Sequence, residues 1–181
     1  MTGVRELTAV RDVVPAEDFR AAMLQWASGV TVVTAVDGDR RPQGFTASSF
    51  CSVSLDPPLV LVCLDRGANC LETFRETGWF AVHVLGEDQE ELALRFARKG
   101  TGKFADERTV PGLGEAPLLT GALARLECRA VDRVPAGDHL ILVGRVARTE
   151  TRSGRPLVHC QRAFHGLRQR SPHVSDPTKR E

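Results

Sequence analysis

The sequence predicts a mainly β domain with flanking helices, its strands arranged as an antiparallel barrel. Three observations carry that expectation. Runs of β-branched residues recur between short turn signals, only three segments carry helical periodicity, and hairpin connections outnumber strand–helix–strand alternation. Closing the strands into a barrel also removes the exposed edges that they would otherwise present.

Pro15 opens the first helix, where a missing N–H costs nothing. Phe19, Met23 and Trp26 recur on one face, and Gly29 is the expected stop. The period then changes: Val30–Val36 is dense in β-branched residues, and Asp37-Gly38-Asp39 signals a hairpin. The return strand is expected over Gln43–Phe50, continuing through Val53. Asp56-Pro57-Pro58 interrupts pairing, because proline donates no ladder hydrogen bond. Leu59–Leu64 is an unbroken apolar run, expected as a strand buried on both faces. A short helix over Asn69–Glu76 and a strand over Trp79–Leu85 follow. Glu87–Arg98 is the third helix, acidic in its first turn and basic in its last, with Leu92 and Phe96 facing the core together. Lys99–Gly121 reads as a long loop. Strands over Ala122–Val134 and His139–Thr149, joined by Pro135-Ala136-Gly137-Asp138, and a short strand over Leu157–Cys160 leading to Phe164 and His165 complete the domain.

The chain has 181 residues, 42% hydrophobic and 26% charged, which suits one soluble globular domain. Residues 1–14 read as an N-terminal tail, 15–168 as the domain and 169–181 as a flexible C-terminal tail that carries His173. With 24 Lys and Arg against 23 Asp and Glu, the net charge of +1 gives no electrostatic argument for nucleic acid or an anionic membrane surface. No apolar run approaches the roughly 20 residues that span a bilayer, and Arg5, Glu6, Arg11 and Asp12 interrupt any signal-peptide core. A cytoplasmic enzyme or binding domain is the expectation. The five cysteines (Cys51, Cys63, Cys70, Cys128, Cys160) are odd in number and form no C-x-x-C pair, so free thiols in a reducing compartment are expected, with neither disulfides nor a metal site.

The polar-small stretch Gly44–Ser54 carries five hydroxyl side chains in eleven residues. Small residues let a ligand approach the backbone, and hydroxyls beside N–H groups bond phosphates or heterocycle edges. Ordinary alternation on a solvent-facing strand explains the same pattern equally well. Gly100-Thr101-Gly102-Lys103 looks like a phosphate loop but has Ala97 in place of the first glycine and Phe104 in place of the metal-binding hydroxyl. No dinucleotide fingerprint, nucleophile elbow or paired-carboxylate signature is present. Gly137-Asp138-His139 enters an apolar strand, so His139 is either a rim residue beside a bound cofactor or a turn histidine bonded to Asp138. His83, inside an apolar strand, reads as a satisfied half-buried residue rather than a ligand.

Several segments occur together in the order of a known family. They are Phe19–Met23, Gly29–Thr34, Gly44–Phe50, Ser52–Leu59 with Asp56-Pro57-Pro58, Phe80–Leu85, Arg95-Phe96-Ala97, Lys103-Phe104, Gly137-Asp138-His139 and Gly144-Arg145-Val146. From about Pro15 to Leu167 the chain resembles the flavin reductase-like, FMN-binding split-barrel family, which includes reductase components of two-component flavin-dependent monooxygenases. The resemblance implies a homodimer of split β-barrels, each binding FMN or FAD near the interface. NADH or NADPH delivers hydride, and free reduced flavin passes to a separate monooxygenase. A flavin-binding carrier or sensor of the same fold is the alternative. Carried over by position, Thr46, Ala47, Ser48 and Ser49 line the flavin ring and ribityl chain, and Thr31, Val32, Val33 and Thr34 approach from the paired strand. Cys63, Leu64, Asn69 and Cys70 lie towards the ribityl-phosphate end. Lys103 is a candidate phosphate or adenine-side cation, with Phe96 and Phe104 beside it. His139 matches the family histidine next to the nicotinamide. Relatives commonly carry tyrosines in the closing segment, where this chain has His159 and Phe164, and Asn where it has His83.

Overall fold

The computed structural model describes residues 13–168 apart from Thr101 and Asp106. The rest of both expected tails, including His173, lies outside the described residues.

Helix α1 (Ala16–Met23) starts behind Pro15 as expected, but it buries none of its residues and ends before Trp26. Phe19, Met23 and Trp26 remain 56%, 50% and 72% exposed. After the short strand β1 (Ser28–Gly29), β2 (Thr31–Val36) turns through Asp37–Arg40 into β3 (Pro42–Ala47). The Asp37 carboxylate accepts the N–H groups of Asp39 and Arg41 at 3.0 and 2.8 Å, fastening the turn. The expected single strand to Val53 is in fact two: it breaks at Ser48–Phe50 and resumes as β4 (Cys51–Leu55). Asp56-Pro57 then forms a tight hairpin turn into β5 (Pro58–Asp65), with Leu55 opposite Pro58. The prolines therefore sit at a turn and a strand start, where no ladder donor is needed.

The remaining elements are α2 (Leu71–Glu76), β6 (Trp79–Val84), α3 (Glu90–Ala97), β9 (Ala124–Ala136), β10 (His139–Thr151), β11 (Leu157–Cys160) and β12 (Ala163–Gly166). The segment expected as a loop from Lys99 to Gly121 also contains strands β7 (Thr109–Pro111) and β8 (Pro117–Leu119), around a 3-10 turn at Leu113–Glu115. Its Gly and Pro residues punctuate a flap rather than preventing structure. Seven strands form one antiparallel sheet in the order β3-β2-β6-β9-β10-β5-β4; β1-β11-β12 and β7-β8 form two smaller sheets.

The sheet curls around a core that includes Val33, Phe45, Val62, Leu64, Phe74, Phe80, Val82 and Leu142. A second core, with Val32, Leu85, Leu92, Phe96 and Leu157, lies between β2 and α3. Strands β2 and β6 are thus buried on both faces. Strand β5, expected to be so, alternates buried Val60, Val62 and Leu64 with half-buried Leu59, Leu61 and Cys63. The sheet is not hydrogen-bonded into a closed barrel: β3 and β4 are its two ends.

The flap closes over the outer sheet face. Thr34 Oγ1 donates to Pro117 O at 2.6 Å, and Leu113 N–H donates to Glu127 Oε2 at 2.7 Å. Arg148 chelates the same carboxylate and holds it below the usual carboxylate range, against the opposing pull of burial. His83, fully buried, accepts Leu119 N–H on Nε2 (3.1 Å), so Nδ1 carries the proton and donates to Val32 O (3.0 Å). Burial depresses its pKa to about 4, leaving a neutral ring that pins β8 to β2.

Candidate functional site

The two ends of the sheet are consecutive in the chain. Strand β3 runs into β4 through Ser48-Ser49-Phe50, and three residues reach no further than about 10 Å. The edges are therefore drawn together without pairing, leaving a seam. A cavity of about 290 Å³ opens there.

Most of the candidate residues meet in its wall. Thr46, Ala47, Ser48 and Ser49 come from the link and the end of β3; Cys63 and Leu64 come from the end of β5. Asn69 and Cys70 arrive ahead of α2, Phe96 at the end of α3, Lys103 after it, and His139 at the start of β10. Five candidates fall outside. Thr31, Val32, Val33 and Thr34 are buried in the sheet, with Thr31 Oγ1 donating to Ala47 O at 2.9 Å. Phe104 packs edge-on against Phe96, ring centroids 4.9 Å apart, and faces a neighbouring cavity. Thr31, through Ala47, and Phe104, through Phe96, brace the wall from behind.

The hydroxyls of the link have different employments. Thr46 Oγ1 donates to Ala93 O in α3 at 2.6 Å. Ser49 Oγ accepts Cys63 N–H at 2.9 Å and donates to Cys63 O at 3.2 Å. Ser48 is exposed, and among the described residues its hydroxyl has no partner. Nor do the backbone N–H groups of Ser48, Ser49 and Phe50 donate to any protein acceptor among those residues. The seam thus carries backbone donors that have no protein acceptor among the described residues, and the cavity beside them is lined in part by Phe45, Ala47 and Leu64.

One wall is basic. Lys103 Nζ donates to Gly44 O and Phe96 O, both at 3.0 Å, which ties the end of α3 to β3 and leaves one N–H without a partner among the described residues. Burial lowers its pKa and raises that of the neighbouring Cys70 thiol. Arg98 and Lys99 line the same wall and have no ion-pair partner among the described residues. Sequence places Arg98 in the basic last turn of the expected helix and Lys99 at the start of the loop; the spacing of the two from Lys103 is the available sign of a cation cluster. Gly44 allows the approach of α3, since a Cβ there would lie 2.8 Å from the Phe96 ring.

The opposite rim carries acid and imidazole. His139 stands opposite Asp65 in the β10–β5 ladder, and both line the cavity. His139 Nδ1 lies 2.7 Å from Asp138 Oδ1, and that hydrogen bond holds the Asp138 carboxyl below its usual range. His139 is therefore both a turn histidine bonded to Asp138 and a rim residue. Asp65 Oδ1 accepts Gly67 N–H at 2.6 Å, and Arg66 N–H donates to Asp138 O at 2.9 Å, joining the two turns. Phe45, Asp65, Gly67, Ala68 and Ala97 complete the wall.

All five cysteines are free thiols. Among the described residues, no three His, Cys, Asp or Glu side chains gather as a metal site, and no helix is long and apolar enough to cross a membrane.

Residues 23–168 match the family model described as the flavin reductase like domain. The actinorhodin polyketide dimerase of Streptomyces coelicolor is 49% identical over 150 residues, spanning 82% of this chain and 85% of that protein. The NADH-dependent FMN reductase SmoA of Agrobacterium fabrum is 44% identical over 146 residues, with 81% and 83% covered. Among solved structures, BorF, the flavin reductase component of a bacterial two-component tryptophan halogenase, superposes with a TM-score of 0.76 at 40% identity, covering 86% of this chain and all of that one.

Proposed function

The chain belongs to the flavin reductase like domain family, and from that premise we propose that it is an NAD(P)H-dependent flavin reductase acting on FMN or FAD. The reduced flavin serves a separate flavin-dependent monooxygenase. The observation that carries this reading is the seam cavity, whose unspent donors, apolar floor and cationic wall match an apolar ring system with a polar edge and an anionic phosphate tail. When bound, the flavin supplies the hydride-accepting ring, and NADH or NADPH supplies the hydride.

The chain's own task is to bind and orient. In this reading the N–H groups of Ser48–Phe50 and the Ser48 hydroxyl hold the polar edge of the flavin, and backbone donors of this kind stabilise the negative charge that reduction creates. Lys103, with Arg98 and Lys99, holds the phosphate, and offsets the unfavourable negative end of α3 beside it. His139, kept in one orientation by Asp138, flanks the nicotinamide at the opposite rim. No nucleophile or general base is required, because the flavin and the nicotinamide supply the redox chemistry between them. Tight orientation of the two reactants supplies much of the acceleration.

The working unit in this reading is a homodimer. Its support is the outward face of β5, β10 and β9, where half-buried Leu59, Leu61, Ile141 and Val143 adjoin Val131 and Val134, 47% and 42% exposed. An apolar face of that kind, next to the cavity residue Cys63, is an expected subunit contact. Sedimentation velocity would give a dimer; a monomer at every concentration contradicts this part.

Anaerobic stopped-flow mixing with NADH or NADPH and either flavin tests the activity. Rapid loss of the yellow flavin absorbance is the expected result. A flavin that binds but is bleached by neither nucleotide would make the chain a carrier, and no binding would end the reading.

A further inference from the structure

A side chain holds the link between the two sheet ends where a strand would ordinarily continue. The β4–β5 ladder reaches Cys51 opposite Leu61 and ends there. Two residues on, Cys63 is paired on its other side with Ile141 of β10. Towards the seam, its N–H and C=O meet the Ser49 hydroxyl, which accepts from the one and donates to the other. One hydroxyl thus does the work of a backbone rung.

The consequence concerns the link's own backbone. An ordinary rung would engage an N–H and a C=O of the link. With the Ser49 side chain in that role, the Ser49 N–H that such a rung would engage keeps no protein acceptor among the described residues, and neither do those of its neighbours Ser48 and Phe50, which face away from that rung. The neighbouring hydroxyls divide the labour: Thr46 fixes the near end of the link to α3, Ser49 fixes the far end to β5, and exposed Ser48 stands free between them.

We infer that Ser49 is a positioning residue, a strut that sets the width of the seam and keeps the link's backbone donors free for ligand, and that its hydroxyl does not itself contact flavin. The identity of the ligand rests on the flavin reductase reading above; the strut itself does not.

The test compares Ser49→Ala, Ser49→Thr and Ser48→Ala with the wild type. Amide exchange at Cys63 is followed by NMR without flavin, with Leu61 as the paired control; FMN affinity and the KM for NADH are then measured. Ser49→Ala should speed exchange at Cys63 but not Leu61 and weaken FMN binding about tenfold, the scale of one or two net hydrogen bonds. The KM for NADH should not change. Ser49→Thr, which keeps the hydroxyl, should restore both exchange and affinity. Ser48→Ala should weaken FMN while leaving Cys63 exchange as in the wild type. Wild-type Cys63 exchange in Ser49→Ala overturns the inference, as does weakened FMN binding without faster exchange, which would make the hydroxyl a direct ligand. Failure of Ser49→Thr to restore either property also overturns it. A wild-type chain that binds no flavin would refute the functional reading, and Cys63 exchange in the variants would then decide the strut alone.

Discussion

Acidification is expected to weaken the fold through one buried imidazole. His83 is fully buried between a carbonyl of β2 and an amide of β8, and its pKa falls from 6.5 to about 4 because the charged ring would lose its hydration. The unfolded chain then binds a proton that the folded chain refuses. Stability from this group is complete above about pH 6.5 and declines as pH falls towards 4. At about 1.4 kcal/mol per pH unit the full loss is about 3 kcal/mol, and at pH ~5 it is about 2 kcal/mol. Protonation would also set a new N–H against Leu119 N–H, so the flap should loosen first. Urea unfolding at pH ~7 and ~5 gives the measurement, made on the wild type and on His83→Asn. Carboxylates such as Asp37 and Glu127 also carry lowered pKa values, so the decisive quantity is the difference between the two proteins. The wild type should lose about 2 kcal/mol more than the variant over that interval. Equal losses would refute the placement of a neutral, buried His83.

Lys103→Met should weaken FMN about tenfold while leaving riboflavin, which lacks the phosphate, much less affected; equal losses for both would make Lys103 a brace for α3 alone. His139→Ala should raise the KM for the nicotinamide nucleotide more than it weakens flavin binding, and an unchanged KM removes His139 from that role. Gly144→Ala puts a Cβ 2.4 Å from Phe80 Cζ and 2.8 Å from Cys128 Cβ. Overpacking of that kind costs about 2 kcal/mol, read by calorimetry as a Tm lower by about 4–8 °C; an unchanged Tm would show that the core yields there.

The architecture was legible where local patterning and tertiary packing agree. The hairpin at Asp37-Gly38-Asp39, the long β9–β10 pair and the buried Leu92–Phe96 face of α3 all follow from turn chemistry and periodicity. Burial of whole faces was not legible, because it depends on what packs from elsewhere in the chain. The Val-rich β2 is covered on its second side by α3, whereas the equally apolar β5 is left half open. The apolar residues of α1 have no cover among the described residues. The break at Ser48–Phe50 was hidden because the hydroxyl-rich run reads as a continuous strand; what divides it is that β3 and β4 pair with different neighbours at opposite ends of the sheet.

The candidate site shows the same division. Family order brought Thr46–Ser49, Cys63–Leu64, Asn69–Cys70, Lys103 and His139 to one list, and the structure brings them to one cavity. Sequence could not say which hydroxyl is spent and which is free, since Ser48 and Ser49 are chemically identical neighbours separated only by the direction they face. It also could not tell Thr31 and Thr34, spent on Ala47 and Pro117, from residues with polar atoms to offer. Arg98 has a ready explanation at a helix terminus and Lys99 in a loop, so neither points to a site by itself.

The central claim is that the seam between β3 and β4 is a flavin site. Titration of the full chain with FMN and with FAD, followed by backbone amide NMR, tests it most directly. Saturable binding with the largest shifts at Ser48–Phe50 and Lys103 is the expected result. Absence of saturable binding by either nucleotide, or shifts centred elsewhere on the molecule, would contradict it.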